Sequence, residues 1–202
     1  MRKKSHISLA KFLMNNMKVE DLNEHKKAFY IGSILPDCRP SFLTRKHSID
    51  ATFPILIEEI KKITVDYDME QGITGYYCRH LGVITHYLAD YFTFPHNSIF
   101  QGTIKEHCVY EKKLKFTFKS YVQEEDTQRD REQKGTFHSI DEIIRFIVKT
   151  HREYLKTLKV VKEDCQFIVD LVYKVVDAIL QIFELNMMKL NMKNEQIPIE
   201  CL

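Results

Sequence analysis

The stretch "THYLADYFTFPHN", residues 85–97, decides how this chain is read. Its aromatic and small apolar residues suit a core helix, yet it carries His86 and Asp90, breaks at Pro95 and places His96 directly after. On an α-helix, positions four apart share a face about one turn from each other, so His86 and Asp90 can hold one ion between them. An isolated pair of this kind is often only a helix-stabilising contact. Here the neighbours Tyr87, Leu88, Tyr91 and Phe92 suit an interior, where an uncompensated charge is costly. Metal binding accounts better for the pair. Gly82, one turn earlier on that face, is expected to leave space above it.

The same spacing recurs in "EHCVYE", residues 106–111, where His107 and Glu111 are also four apart. Two such pairs, joined by a short loop carrying His96, would face each other in a helical hairpin. Taken together, the three histidines and two acids make a ligand constellation, whereas each alone has an ordinary structural explanation.

The rest of the chain reads as helical. Six glycines, five prolines and long apolar patterns of 3.6-residue period predict an all-α fold, a single multi-helix domain over 1–202. Helices are expected at 6–18, 21–33, 49–64, 70–94, 104–122, 139–158 and 162–193. Capping boxes are read at Asp21 with Glu24, Thr103 with Glu106, and Ser139 with Glu142. Stripes such as Ile140, Ile143, Ile144, Ile147 and Val169, Val172, Val176, Ile179, Phe183 mark residues 112–202 as helical scaffold. The doubly charged run "QEEDTQRDREQKGT", residues 123–136, reads as a linker or solvated helix extension.

Composition narrows the function classes. A net charge of +2 over 202 residues does not advertise a polyanionic partner, so nucleic acid is not expected. Charges at Asp170, Lys174, Asp177 and Glu184 cut the longest apolar stretch, and no transmembrane segment is read. The basic start "MRKKSHISLAKFLM" is interrupted by Lys11 and lacks a small-residue cleavage site, so a cytoplasmic location is expected. Five scattered cysteines without a C-x-x-C pair suggest free thiols, with Cys38 and Cys108 taken as structural. His25, His80, His138 and His151 lie in charged contexts or off the ligand face and are left outside the site.

The order H-x3-D-x5-H-x10-H-x3-E, from His86 through Asp90, His96 and His107 to Glu111, resembles the zinc-dependent phospholipases C of bacteria, which include the catalytic domain of clostridial alpha-toxin. Upstream, "SHISLA" supplies His6, and "IGSILPD" followed by "RKH" supplies Asp37 and His47, in the order that family uses. The resemblance implies up to three zinc ions. Asp37, His47, His86 and Asp90 would hold one. Asp90 would bridge to a second, completed by His6 and the amine and carbonyl of Met1. His96, His107 and Glu111 would hold a third. It further implies a zinc-bound hydroxide attacking a phospholipid or other phosphodiester to release a phosphorylated headgroup, with Asp37 orienting or deprotonating the water.

The chain departs from the secreted members in having no tryptophan and in carrying Cys38 where the choline-binding enzymes have tyrosine. Met1, retained beside the bulky Arg2, is expected to take the role of their N-terminal tryptophan. Two other readings stay open. The single-strand-specific zinc nucleases share the ligand order but close their third site with aspartate instead of Glu111. A non-catalytic protein held together by metal would use the same ligands. Headgroup and oligomeric state are not legible.

Overall fold

The described residues, 1–38, 46–131 and 137–195 of a computed structural model, fold into helices α1 (Lys3–Met17), α2 (Glu20–Glu24), α3 (Lys26–Ile34), α4 (Ile49–Lys62), α5 (Gly75–Tyr91), α6 (Ile104–Tyr121), α7 (Ile140–Tyr154) and α8 (Val161–Glu195). No strand occurs among them, as the all-α reading predicts. The central element is α5. Residues 81–93 form one unbroken buried run, and a helix apolar on every side belongs inside, with neighbours all round. Helices α1, α3, α4 and α8 all pack on it.

The closest packing joins α3 to α5 through two glycines. A Cβ on Gly32 would stand 2.0 Å from the Arg79 carbonyl oxygen, and one on Gly82 would stand 2.3 Å from the Phe29 carbonyl oxygen. Only residues without a side chain let the two backbones approach so near. Gly82 therefore does not leave space above the His86–Asp90 pair, as the sequence reading expects. It is filled by the backbone of α3.

Several boundaries differ from expectation. The helix expected at 21–33 is broken at His25, whose backbone (φ −101°, ψ 18°) leaves the helical region and lets α3 turn onto α5. Asp21 caps nothing, because α2 starts one residue before it and has Val19 at its N-cap. The helix expected from 70 starts instead at Gly75, capped by Thr74, after a separate turn at Met69–Gln71 and a left-handed Gly72 (φ 65°). The Thr103–Glu106 capping box is complete. At Ser139 only half forms, since the Glu142 carboxylate accepts from the His138 amide instead of from Ser139's own.

Residues 123–131 are the mostly exposed linker that the sequence predicts, and they are anchored at particular points. The Arg129 amide donates to Asn16 Oδ1 at 2.7 Å, and its guanidinium donates to Asp170 at 2.9 Å. Arg131 joins Asp177 at 2.6 Å and Glu184 at 2.7 Å. The acids that interrupt the apolar pattern of α8 are thus the anchors of this segment. Residues 132–136 lie outside the described residues. The apolar stripe of α8 through Phe183 is buried as expected, and no described helix is long and apolar enough to cross a membrane.

Candidate metal centre

Helix α5 carries His86 and Asp90 side by side in the interior, both at 0% exposure. The α3–α5 approach puts the Ser33 carbonyl oxygen 2.9 Å from His86 Nδ1. A carbonyl only accepts, so Nδ1 carries the proton and Nε2 presents its lone pair to the site, the orientation a metal ligand needs. The turn at Pro36–Cys38, directly after α3, brings Asp37 in, and His47 arrives just before α4.

These four side chains close around one point. The spacings are 3.0 Å for His47 Nδ1 to Asp90 Oδ2, 3.2 Å for His86 Nε2 to Asp90 Oδ2 and 3.1 Å between the two imidazole nitrogens. Asp37 Oδ1 stands 3.7 Å from His47 Nδ1 and 3.6 Å from His86 Nε2. Zinc bonds of about 2.0–2.1 Å in tetrahedral geometry place ligand atoms roughly 3.3 Å apart. These five edges bracket that value.

The second group lies nearer the surface. Glu111 Oε1 is 3.3 Å from His96 Nε2 and 3.4 Å from His107 Nε2. The complete Thr103 cap starts α6 in register for His107 and Glu111 to face inward. Exposure rises outward across the cluster, with the His96, Glu111 and His107 side chains at 10%, 15% and 33%. The outer group is the more exposed of the two.

Between the two groups sits the chain terminus. The Met1 amine donates to Asp90 Oδ1 at 2.5 Å, and lies 2.9 Å from His96 Nε2 and 3.2 Å from Glu111 Oε1. His6 Nε2 is 3.4 Å from the same Asp90 oxygen, but neither of its ring nitrogens makes a hydrogen bond although both are buried. Orphaned buried nitrogens are rare and call for a partner. Every candidate ligand from the sequence, Met1, His6, Asp37, His47, His86, Asp90, His96, His107 and Glu111, is in one contiguous cluster. The amine faces both groups, where the sequence reading pairs it only with His6 and Asp90.

The electrostatics suit a cation. Burial works to raise Asp90, but the Met1 amine, His96, His86 and His6 outweigh it and hold the carboxyl well below the ordinary range. Burial, joined by the neighbouring His86, pushes His6 down to about 3, which keeps its ring neutral and able to ligate. Burial, with Asp90 close by, raises Asp37 despite His86 and His47. The nitrogen and carboxylate donors, at tetrahedral spacing and with both His6 ring nitrogens lacking a hydrogen bond, fit zinc.

Sequence reasoning missed the groups that support the loop of His96. Asp164 in α8, at 0% exposure, accepts from the Phe94 amide at 2.9 Å, the Tyr110 hydroxyl at 2.9 Å and the Tyr154 hydroxyl at 2.8 Å. Asn97 donates to the Tyr91 and Thr93 carbonyls and bonds His151 Nε2 through its Oδ1 at 2.8 Å. Asp164 stands in the first turn of α8, where an acid is ordinarily read as a helix-dipole residue, so no sequence signal separated it. Of the other histidines set aside, His80 bonds Glu59 and His138 is exposed. Cys38 and Cys108 are exposed free thiols rather than structural ones, and Cys201 lies outside the described residues.

Comparison with known families agrees with this geometry. The model of the zinc-dependent phospholipase C family matches residues 5–159, and the chain belongs to that family. No curated protein and no solved structure matches it. The matched segment contains every candidate side-chain ligand from His6 to Glu111. The family match supports a zinc phospholipase-like hydrolase and names no substrate for this chain.

Proposed function

We propose that the protein is a zinc-dependent phosphodiester hydrolase of phospholipase C type, releasing a phosphorylated headgroup. The observation that carries this is the tetrahedral spacing of Asp37, His47, His86 and Asp90, closed by a second group one carboxylate away. The proposed ligands are Asp37, His47, His86 and Asp90 for one ion, Asp90, His6 and Met1 for a second, and His96, His107 and Glu111 for a third. Zinc in such sites supplies a water acidic enough to ionise near neutral pH and positive charge for phosphoryl oxygens.

The chain's own residues fit that chemistry. Asp90 presents Oδ2 to His47 and His86 and Oδ1 to His6 and Met1, as a bridging carboxylate must. Its burial keeps the bridge dry, which strengthens each charge interaction there. Asp37, which lies at the edge of the buried group, is the proposed residue to orient the attacking water and accept its proton. His107 and Glu111, at the accessible rim, mark where the phosphoryl group enters. Glu111, in place of the nuclease aspartate, supports phospholipid over nucleic acid.

A side-by-side assay tests this. The zinc-loaded protein should hydrolyse a chromogenic phosphodiester or micellar phospholipid and cleave single-stranded DNA much more slowly. Faster DNA cleavage would transfer the site to the nuclease reading, and inactivity on every phosphodiester would leave a metal-stabilised binding protein.

A further inference from the structure

Helix α6 has two unlike faces. Its inner face carries His107 and Glu111, with Leu114 and Phe118 fully buried beneath them. The outer face is exposed over most of its length, with Arg2 reaching onto it. On a wheel of about 100° per residue, Lys105, Lys112, Lys115 and Lys119 fall within an arc of about 80°. Apolar residues border the arc on both sides, Ile104 on one and Phe116 and Val109 on the other. They are 85%, 58% and 61% exposed. Lys115 holds its ammonium 4.0 Å from the Phe116 ring centroid, a cation set over the aromatic face at the edge of the strip.

The charge continues onto α1. Arg2 donates to the Cys108 carbonyl oxygen at 3.0 Å, and Lys3 and Lys4 follow it, both exposed. A nearly neutral chain thus sets four lysines and Arg2 along the outer face of the helix that carries His107 and Glu111. Glu106, tied up in the Thr103 capping box, is the one acid on α6 outside the centre.

We infer that the outer face of α6 docks the protein on an anionic lipid surface. Lysines flanked by exposed aliphatic and aromatic residues match the two layers such a surface offers, acidic headgroups and the acyl boundary below them. Ile104 and Val109 have no counterpart to meet on a nucleic-acid backbone, which makes lipid the better fit. The contact itself needs no metal, so it stands or falls apart from the hydrolase reading.

Sedimentation of the full chain with vesicles tests it, using phosphatidylcholine alone and phosphatidylcholine mixed with phosphatidylglycerol. Binding to the anionic vesicles should be at least about tenfold tighter and should weaken with salt. Lys112→Glu with Lys119→Glu should reduce it by about tenfold or more, and Phe116→Ser alone by several-fold. Hydrolysis of a soluble chromogenic phosphodiester should be unchanged in both variants, which keeps a failure of docking separate from a failure of catalysis. Equal binding to the two vesicle types, or no loss in either variant, would overturn the inference. Tighter binding to single-stranded DNA than to anionic vesicles would assign the face to nucleic acid instead.

Discussion

The Nδ1 of His86 lies 2.9 Å from the carbonyl oxygen of Ser33, a contact across two helices that exists because Gly32 and Gly82 let those helices touch. The buried ligand geometry thus depends on residues that carry no chemistry. In Gly82→Ala the new methyl would meet the Phe29 carbonyl oxygen at 2.3 Å and the Ser33 amide at 2.7 Å, both backbone atoms that cannot rotate away. The helices must separate, at a cost of about 1–3 kcal/mol. Thermal unfolding should register that loss, and zinc retention on dialysis should drop because His86 loses its fixed orientation. Wild-type stability and zinc retention in the variant would contradict this role for the crossing.

Asp90 and Glu111 should differ in how many ions they control. Asp90 faces His47 and His86 with one oxygen and His6 and Met1 with the other, whereas Glu111 contacts the outer group and the amine. Asp90→Asn is expected to lose two ions together, and Glu111→Gln chiefly one. Zinc content per chain, measured after dialysis against metal-free buffer, distinguishes the two. Equal losses would remove the bridging role.

The Met1 amine is raised above its ordinary value, because Asp90 and Glu111 outweigh the burial that would lower it. A proton must therefore be displaced when the amine ligates, and zinc ligation there is linked to pH. A short uncleaved extension before Met1 would move the amine out of the cluster. It should lower zinc content by up to one ion and slow hydrolysis, relative to a chain whose intact mass shows Met1 to be terminal. Equal zinc and equal rates would exclude the amine as a ligand.

Asp164 is expected to act at a distance by pinning the loop of His96. Asp164→Ala leaves the Phe94 amide and two tyrosine hydroxyls without their acceptor, a loss of about 1–3 kcal/mol for each buried group left unsatisfied. The outer group should lose zinc affinity while the Asp37, His47, His86 and Asp90 group keeps its own. Burial raises Asp164 to about 6 although its three donors oppose this. The native chain therefore holds a proton there that the unfolded chain has already released, and the stability contributed by this group falls as pH rises from about 4 to about 6. In Asp164→Asn that part of the pH dependence should be absent. Urea unfolding across this range checks it.

The ligand side chains were legible because they are ordered along the chain, at spacings that a helix or a short loop must respect. His86 with Asp90 and His107 with Glu111 needed only helical periodicity. What supports them was not legible. Ser33 acts through its backbone, so its identity carries no signal. Gly82 was read for the space it leaves, when its function is to receive another helix. Asp164 and His151 meet the His96 loop only after α7 and α8 have packed, across separations of 70 and 54 residues. The anchors of the run at 123–131 were not legible, because the acids that hold Arg129 and Arg131 lie 41, 46 and 53 residues away in sequence. The cationic strip of α6 was hidden by a net charge of +2, an average that says nothing about distribution.

The central claim is that this cluster holds zinc, and elemental analysis of the protein purified without chelators, after growth with zinc supplied, tests it most directly. The ligand set exceeds what one tetrahedral ion can use, so the expected result is more than one zinc per chain. The absence of any stoichiometric transition metal would contradict the account.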